Sequence, residues 1–502
     1  MEIARDYNAA HDLIERNLKA GRGAKAAFRD DQGSLTYAQL AERANRFGSG
    51  LLAMGLRMED RVLIAMHDTA DWPVAFLGAI KAGIIPVAVN TLLTSKDYQY
   101  MLADSRAKAL VVSQALLPQF KPILEGLPFL QHVIVAGAQF EDVLNKGKSE
   151  LAPAPTTRDD ACFWLYSSGS TGMPKGTVHA HSSMIETAEL YAKGVLGLKE
   201  SDVVFSAAKL FFAYGLGNSL SFVLAAGASA VLMAERPTPA SVFKRLVERK
   251  PTVFYGVPTL YAAMLADASF AKREDLALRI CVSAGEALPP QIAQSFKEKT
   301  GLDILDGIGS TEMLHIFLSN RPGDFRYGTT GRAVPGYELR LVDEQGQPVQ
   351  PGELGELEIS GPTSAMYYWN NRAKSRSTFV GAWTKSGDKY LQNADGYYVY
   401  GGRTDDMLKV SGIWVSPAEV EAALVGHPAV LEAAVVGKQD EQKLVKPKAY
   451  VVLKSGAKAS EDELKAYVKE KLAPYKYPRW IEFAAELPKT ATGKIQRFKL
   501  RA

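Results

Sequence analysis

The sequence predicts an α/β protein with a large N-terminal domain of parallel sheets flanked by helices and a small, mobile α+β C-terminal domain. Two observations carry this prediction. Short, wholly apolar segments alternate with helix-like segments over most of the chain, and capped helices alternate with strands at its end. A chain of 502 residues also exceeds what one hydrophobic core usually supports, so two or more domains are expected.

The N-terminal elements show this alternation clearly. Segment 35–55 predicts a helix that opens with a capping box between Thr36 and Gln39 and stops near Gly55. The segments RVLIAM, WPVAFLGAIKAG and IIPVAV then predict a strand, a helix and a strand. Further buried strands are predicted at ALVVS, HVIVAG, ASAVLMA, PTVFYGV and LRICVSAG.

The texture changes near Gly328, where glycine and proline become frequent, and an antiparallel β subdomain is expected at about 328–400. The N-terminal domain is predicted to span 1–404 and the C-terminal domain 405–502. Within the latter, Ser416 and Glu419 predict one capping box, and a second opens SEDELKAYVKEKL. From residue 406 onward, 17 Lys and Arg face 12 Asp and Glu, which suits a module that meets a phosphate-rich ligand.

The composition is that of an ordinary globular protein. With 47% hydrophobic residues, 23% charged residues and a net charge of +4, nucleic acid and membrane surfaces are not expected as partners. No apolar stretch has the length of a signal peptide or membrane span, so a cytoplasmic location is expected. Cys162 and Cys281 lie in apolar strand-like runs, which predicts reduced, buried thiols.

The segment YSSGSTGMPKG, 166–176, holds four hydroxyl side chains, three glycines and one lysine. Such a run predicts a flexible loop whose backbone N–H groups and lysine bind a polyphosphate. It does not match G-x-x-x-x-G-K-[ST], so an ordinary P-loop NTPase is not expected. A Gly/Ser linker is the alternative, against which the strand-like ACFWLY before the run counts.

Four further motifs carry chemically useful residues, although each by itself is also explained by a turn or by surface. DGIGSTEM places a hydroxyl, Thr311, beside a carboxylate, Glu312, and the two can hold phosphate and Mg²⁺. WTKSGD ends in Asp388, which can accept both hydroxyl groups of a ribose. GGRTDDMLKVSG contains Arg403, and LPKTATGKIQR contains Lys494.

With these motifs in this order, the chain resembles the adenylate-forming superfamily, which includes acyl- and aryl-CoA ligases, luciferases and peptide-synthetase adenylation domains. The resemblance extends from about Tyr37 to Arg501. The segments AKLFFAYGLGNS, GIGSTEMLHIFLSN, YWNNRAKSR, LAPYKYPR and KTATGKIQRFKLR are most similar to benzoate-CoA ligases and their hydroxybenzoate relatives. Many members carry a histidine where this chain has Phe212, so the gating role of that histidine is not carried over.

The resemblance implies ATP, Mg²⁺, coenzyme A and a small aromatic carboxylate as ligands. Lys494 would bridge the carboxylate and the α-phosphate, Thr311 would contact the α-phosphate, and Glu312 would bind Mg²⁺. The implied ATP- and AMP-binding residues are Ser167, Ser168, Gly169, Ser170, Thr171, Gly172, Lys175, Asp306, Gly307, Thr311, Asp388 and Arg403.

The resemblance also implies a C-terminal domain that swings about a hinge at Asp405, which removes Lys494 from the site and brings in a segment that binds CoA. The implied CoA-binding residues are Lys409, Ser411 and Gly412. The implied acyl pocket consists of Phe211, Ala213, Tyr214, Gly309, His315 and Ile316. His179 and His181 are expected to be loop residues.

The expected activity is therefore ATP-dependent ligation of benzoate to CoA through a benzoyl-adenylate. Ligation of 4-hydroxybenzoate or of another small substituted benzoate is the first alternative, because an apolar slot discriminates weakly against an added hydroxyl group. Adenylation for a carrier-protein thiol and a non-catalytic nucleotide sensor are the others. No carrier protein is expected, and the assembly is expected to be a monomer or a homodimer.

Overall fold

The computed structural model describes residues 2–169, 172–404, 406–410, 413–441, 444–473, 475–489 and 495–501. Its α-helices are α1 (Ala9–Lys19), α2 (Tyr37–Ala53), α3 (Asp71–Lys81), α4 (Ser95–Ser105), α5 (Leu117–Phe120), α6 (Ala138–Lys146), α7 (Ser183–Thr187), α8 (Ala213–Leu216), α9 (Phe222–Ala226), α10 (Pro239–Glu248), α11 (Pro258–Ala266), α12 (Pro290–Thr300), α13 (Arg372–Thr378), α14 (Pro417–Val425) and α15 (Glu461–Lys471).

The strands are β1 (Ala26–Arg29), β2 (Ser34–Thr36), β3 (Arg61–Ala65), β4 (Ile85–Ala88), β5 (Ala109–Val112), β6 (His132–Val135), β7 (Ala161–Gly169), β8 (Gly172–Ala180), β9 (Val203–Ser206), β10 (Ser229–Val231), β11 (Val253–Gly256), β12 (Ile280–Ser283), β13 (Ile304–Gly309), β14 (Ile316–Ser319), β15 (Arg332–Ala333), β16 (Glu338–Val342), β17 (Gly355–Ser360), β18 (Tyr367–Tyr368), β19 (Phe379–Val380), β20 (Trp383–Gln392), β21 (Tyr398–Arg403), β22 (Leu408–Val410), β23 (Ile413–Val415), β24 (Val430–Gln439), β25 (Val445–Leu453) and β26 (Trp480–Phe483).

Two large sheets form the N-terminal part. One has the strand order β18-β8-β7-β4-β3-β5-β6, in which β7, β4, β3, β5 and β6 are parallel. The other has the order β15-β14-β13-β12-β11-β9-β10-β1-β2, with a parallel centre from β13 to β1. The predicted α/β class is confirmed, and the carboxyl ends of its parallel strands are where such sheets bind ligands.

The antiparallel region predicted after Gly328 forms a five-stranded sheet of β16, β17, β20, β19 and β21. Two short strands of the same stretch pair elsewhere, since β15 joins β14 and β18 joins β8. In the tail, two hydrophobic clusters draw their members from residues 408–500, and β24, β25 and β26 form a separate sheet. The predicted domain bounds stay predictions, and Asp405 lies outside the described residues.

The helix ends test the predicted caps directly. Both halves of the Thr36–Gln39 box are present, and Ser460 and Glu463 form the second tail box. The Ser416–Glu419 box is only half right, because Ser416 accepts from the backbone N–H of Glu419 while the Glu419 carboxylate pairs with Lys476 at 2.7 Å. A full charge on Lys476 competes better for that carboxylate than a backbone N–H does.

Both cysteines are buried, as predicted. Burial raises the pKa of Cys281 to about 12, so this thiol stays protonated. Among the described residues, no helix combines the length and the hydropathy needed to span a membrane.

Candidate active site

The segment predicted to bind phosphate, 166–176, belongs to a β-hairpin. β7 continues through Gly169 and β8 begins at Gly172, with Ser167 paired to Lys175 in an antiparallel register. The expected flexible loop is thus wrong for most of the segment, because ladder hydrogen bonds fix both legs, and the linker alternative is excluded. Ser170 and Thr171 lie outside the described residues.

Glu312 meets this hairpin in space. Its Oε1 accepts hydrogen bonds from Tyr368 Oη at 2.7 Å and Ser167 Oγ at 3.3 Å, and it lies 4.0 Å from Lys175 Nζ. Thr177 in turn donates to Ser167 Oγ at 3.3 Å. The structure therefore brings together a hydroxyl, a cation and a carboxylate that the sequence predicts from motifs about 140 residues apart.

The loop between β13 and β14 carries Thr311 and Glu312, and three of its successive carbonyl groups accept hydrogen bonds from β8 and from the connection between β17 and β18. His179 Nε2 donates to Thr311 O at 2.7 Å, Ala365 N to Glu312 O at 2.7 Å, and Thr363 Oγ1 to Met313 O at 2.8 Å. Leu314 follows in the left-handed region with φ 65°. A strained loop whose successive carbonyl groups are bonded in this way holds its side chains in one arrangement.

The expectation that His179 is a loop residue is wrong. His179 lies in β8, fully buried, and its Nε2 donates to the Thr311 carbonyl. Because burial lowers its pKa to about 4, the ring is neutral near pH 7. His181 follows in the turn after β8 but is also buried, and its Nδ1 accepts from the backbone N–H of Ala9 at 3.1 Å.

The two residues predicted for the ribose are neighbours. Asp388 in β20 pairs in register with Arg403 in β21, and Arg403 Nη1 donates to Asp388 Oδ1 at 3.2 Å. Asp388 is only 6% exposed, and its backbone N–H donates to Ser386 Oγ. Asp388 and Arg403, which belong to different sequence motifs, are thus directly opposite each other on neighbouring antiparallel strands.

Asp306 lies at the carboxyl end of the parallel part of β13, beside a shallow cleft that Leu288, Asn320 and Tyr327 also line. The side chain is buried, and its Oδ1 has no partner among the described residues. Burial raises the pKa of Asp306 well above that of an ordinary carboxyl group. Asp306 is therefore a buried carboxyl group at the strand end where parallel sheets bind ligands.

His315 anchors the predicted acyl pocket. Its Nε2 lies 3.2 Å from Tyr214 O and 3.0 Å from Asn218 Oδ1, and since both oxygens accept, Nε2 carries the proton. Burial lowers the pKa of His315 to about 3, so it is neutral. The ring centroids of Tyr191 and Phe222 lie 5.5 and 4.4 Å from its own, which makes this an apolar, aromatic environment.

Two glycines allow this packing. A Cβ on Gly217 would lie 2.2 Å from His315 Cδ2, and one on Gly309 would lie 2.5 Å from the His315 carbonyl oxygen. Gly217 opens a π-helical turn, Gly217–Ser221, between α8 and α9. Short π-helical segments are frequent at functional sites.

Phe211, Ala213 and Ile316 are buried in the hydrophobic cluster that also surrounds this histidine, with Tyr214 packed against it. Gly307 belongs to β13, where an added Cβ would lie 3.2 Å from the Ile316 side chain. The structure therefore places the predicted acyl-pocket residues on α8 and on β13, β14 and the segments next to them.

Lys494, Ser411 and Gly412 lie outside the described residues, and Lys409 belongs to β22. The residue after Lys494 is described, and Ile495 N donates to Glu286 Oε1 at 2.9 Å. Glu286 belongs to the segment between β12 and α12. The end of the tail thus contacts the N-terminal part beside the sheet that carries Asp306.

Sequence reasoning missed four residues near the hairpin. Tyr368 contacts Glu312, and His179 holds Thr311. On α4, Asp104 Oδ2 accepts from Tyr166 Oη at 2.7 Å, and Tyr100 Oη donates to Pro174 O at 3.2 Å, so this helix braces both legs of the hairpin. The only available signal was polar or aromatic residues within apolar segments, which a single sequence does not separate from ordinary packing.

The fold and this site define an enzyme that binds a nucleotide and a small acid, and the chain belongs to the AMP-binding enzyme family. Residues 14–369 match that family, and residues 419–494 match the AMP-binding enzyme C-terminal domain. This family membership agrees with the predicted superfamily.

Individual relatives are similar over almost the whole chain. The benzoate–CoA ligase of Thauera aromatica is 63% identical, covering 100% of this chain and 97% of the relative. The 4-hydroxybenzoate–CoA/benzoate–CoA ligase of Rhodopseudomonas palustris is 50% identical, covering 99% and 94%. The crystal structure of a benzoate CoA ligase from Burkholderia xenovorans LB400 superposes with a TM-score of 0.94 at 56% identity, covering 99% of this chain and 100% of that one.

Proposed function

We propose that the protein is an AMP-forming benzoate-CoA ligase that converts benzoate, ATP and CoA into benzoyl-CoA, AMP and diphosphate. The observation that carries the proposal is that one loop contributes side chains to two different sites, a charged one and an aromatic one. Residues 310–315 present Glu312 to the phosphate hairpin and His315 to an aromatic pocket. The likeness to the Thauera aromatica benzoate–CoA ligase supports the choice of acid.

In the first step the benzoate oxygen attacks the α-phosphorus of ATP, and diphosphate leaves. Negative charge gathers on the transferred and leaving phosphates, so fixed cations and N–H donors at the hairpin lower the barrier. Lys175 would bind the leaving phosphates, and Thr311 and Lys494 the α-phosphate. Asp388 and Arg403 would hold the ribose, while Asp306 would face the adenine.

A magnesium ion fits this site as a companion of the nucleotide. Among the described residues, no group of three or more His, Cys, Asp or Glu side chains forms a metal cage of its own. Mg²⁺ in nucleotide sites is typically bound by one or two carboxylates together with substrate phosphates, and Glu312 provides such a carboxylate. When bound, Mg²⁺ would neutralise phosphate charge, and the Glu312 carboxylate that would hold it belongs to the loop bonded by His179.

The acyl pocket accounts for an aromatic acid. Tyr214 and Phe222 pack against the neutral His315, and a charged ring substituent beside these rings would have to be desolvated without a counter-charge among the described residues that contact His315. Gly309 and Gly217 leave room for packed rings where a side chain would collide with His315. The pocket therefore favours one uncharged ring.

In the second step the CoA thiol attacks the benzoyl carbonyl, and AMP leaves. We infer that the C-terminal domain turns about Asp405 between the steps and that the segment from Lys409 to Gly412 then lines the thiol path. Since Gly412 has no Cβ, the narrow pantetheine arm could pass close to the backbone. The backbone N–H of Ile495 donates to Glu286, so the end of the tail contacts the N-terminal part.

The test is an assay of the purified protein with ATP, Mg²⁺, CoA and a panel of carboxylates, following AMP and thioester. Benzoate should give both products. Formation of AMP without thioester would instead indicate a carrier-protein substrate, and nucleotide binding without turnover would indicate a sensor. Either result would refute the proposal.

4-Hydroxybenzoate is the second candidate substrate, because the Rhodopseudomonas palustris relative carries both acids in its name. A buried His315 Nδ1 without a described partner is an acceptor that a ring hydroxyl group could use. A site that pairs such a hydroxyl rejects the bare ring strongly. A kcat/KM for 4-hydroxybenzoate well above that for benzoate would therefore make 4-hydroxybenzoate the preferred substrate.

The roles proposed for Lys494 separate the two steps. Lys494→Ala should lower adenylate formation about 100-fold or more, because a fixed cation at the α-phosphate is lost. Thioester formation from supplied benzoyl-AMP should stay within a few-fold of the unmodified protein. The exposed neighbour Lys499 provides the control, since Lys499→Ala should leave both rates unchanged. Equal losses in both steps would refute this division.

A further inference from the structure

Tyr368 connects the two charges at the hairpin. It lies in β18, which adds an edge strand to β8, with Tyr368 opposite Thr177. Its hydroxyl donates to Glu312 Oε1 at 2.7 Å, and Lys175 Nζ lies 4.6 Å from the centroid of its ring. The side chain is therefore a hydrogen-bond donor to one charge and a cation–π partner to the other.

The distances show what this arrangement prevents. Lys175 Nζ and Glu312 Oε1 lie 4.0 Å apart, whereas a direct charged hydrogen bond would be about 2.8 Å long. The two side chains are 16% and 17% exposed, so a direct pair would be only weakly screened by water. Among the described residues, the contacts of the Glu312 carboxylate all involve Oε1, which leaves Oε2 facing no described donor.

We propose that Tyr368 is a positioning residue that keeps Lys175 and Glu312 apart, holding one on its ring and the other on its hydroxyl, so that the phosphates and the metal ion of ATP enter between them. The proposal rests on the proposed function. Because Lys175 Nζ and Glu312 Oε1 are beyond hydrogen-bonding distance of each other, no direct hydrogen bond between the two has to break when the nucleotide binds.

The contacts of Tyr368 also allow the role of its hydroxyl group to be tested separately from the packing of its ring. Its backbone N–H donates to Ser375 Oγ at 2.9 Å, and its ring lies 5.1 Å from the ring of Phe379. Tyr368→Phe keeps the strand, this ring contact and the cation–π contact, and it removes the hydroxyl alone. Tyr368→Leu removes the ring as well. Tyr367→Phe is the matched control, because Tyr367 is the adjacent, exposed residue of the same strand.

The experiment measures ATP binding by calorimetry without carboxylate or CoA, once with Mg²⁺ and once with a chelator. The readout is the ratio of the dissociation constant without Mg²⁺ to that with Mg²⁺. In Tyr368→Phe this ratio should fall about tenfold, because Glu312 loses its orienting donor and pairs with Lys175. In Tyr368→Leu the dissociation constant without Mg²⁺ should also rise, since Lys175 loses its ring partner.

An unchanged ratio in Tyr368→Phe would overturn the proposal, as would an equal fall in Tyr367→Phe. A merely structural role would weaken binding with and without Mg²⁺ by the same factor and leave the ratio unchanged. Thermal unfolding shows whether each variant is folded before binding is measured. Because no acid is present, failure of the unmodified protein to turn over benzoate would contradict the proposed function and leave this readout unaffected.

Discussion

The two sides of the loop at 310–315 differ in electric charge. On the hairpin side, Glu312 and Lys175 remain partly exposed and lie 4.0 Å apart, with Tyr368 and Ser167 donating to the carboxylate. On the pocket side, His315 is buried among aromatic rings, and burial lowers its pKa to about 3. The hairpin side therefore carries two charged side chains, whereas the histidine on the pocket side is neutral.

This difference matches the two halves of the proposed acyl-adenylate. The phosphate half carries negative charge that must be met by fixed cations and donors, whereas an unsubstituted ring carries none. One short loop, held at three successive carbonyl groups, therefore keeps a charged site and an apolar site at a fixed separation. The following predictions test each side, from the largest expected effect to the smallest.

On the charged side, Glu312→Gln should lower the rate of benzoate-dependent ATP–diphosphate exchange about 100-fold or more. The change keeps the size of the side chain and removes the negative charge that would bind Mg²⁺ and face Lys175. Exchange of labelled diphosphate into ATP measures it. The exposed residue Glu338 gives the control, since Glu338→Gln should exchange at the normal rate. Near-normal exchange in Glu312→Gln would contradict the charged-site assignment.

On the apolar side, Gly217→Ala should lower kcat/KM for benzoate about 10- to 100-fold, because the new Cβ would lie 2.2 Å from His315 Cδ2 and displace the ring. The KM for ATP should change little. Steady-state kinetics with each substrate varied in turn separate the two effects. Gly33→Ala is the matched control, since a Cβ there meets nothing within 4 Å. A larger change in the kinetic constants for ATP than in those for benzoate would contradict the assignment of Gly217 to the acyl pocket.

Most of the architecture could be predicted because it follows from local patterns. The Thr36–Gln39 box and the short apolar strands depend on neighbouring residues, and the structure has them. Tyr368 and His179 could not be predicted, because their partners Glu312 and Thr311 lie 56 and 132 residues away. A distant partner also made one local prediction wrong, because the Glu419 carboxylate pairs with Lys476, 57 residues away, and not with its own helix cap.

The buried histidine makes a pH-dependent contribution to stability. The pKa of His315 is about 3 in the folded protein and about 6.5 when unfolded, so below pH 6.5 only the unfolded state takes up the proton. Stability is therefore lost as the pH falls, by about 2 kcal/mol between pH 7 and pH 5 for this residue. His315→Gln keeps a donor for Asn218 but lacks this titration.

Urea unfolding at pH 7 and pH 5 measures the effect, and the difference between the two pH values cancels the packing cost of the substitution. The loss of unfolding free energy between these pH values should be about 2 kcal/mol smaller in His315→Gln than in the unmodified protein. An equal loss in both proteins would mean that His315 is not held neutral by burial.

The most direct test of the central contrast compares two ring substituents of similar shape and different charge. We would measure kcat/KM for terephthalate and for 4-nitrobenzoate, with inhibition constants against benzoate for any acid that is not turned over. A pocket with a neutral histidine, and with no fixed cation among the described residues that contact it, should disfavour the charged acid by about 100-fold or more relative to the neutral one. Equal values for the two acids would contradict the account, because the ring would then lie in a site that accepts charge.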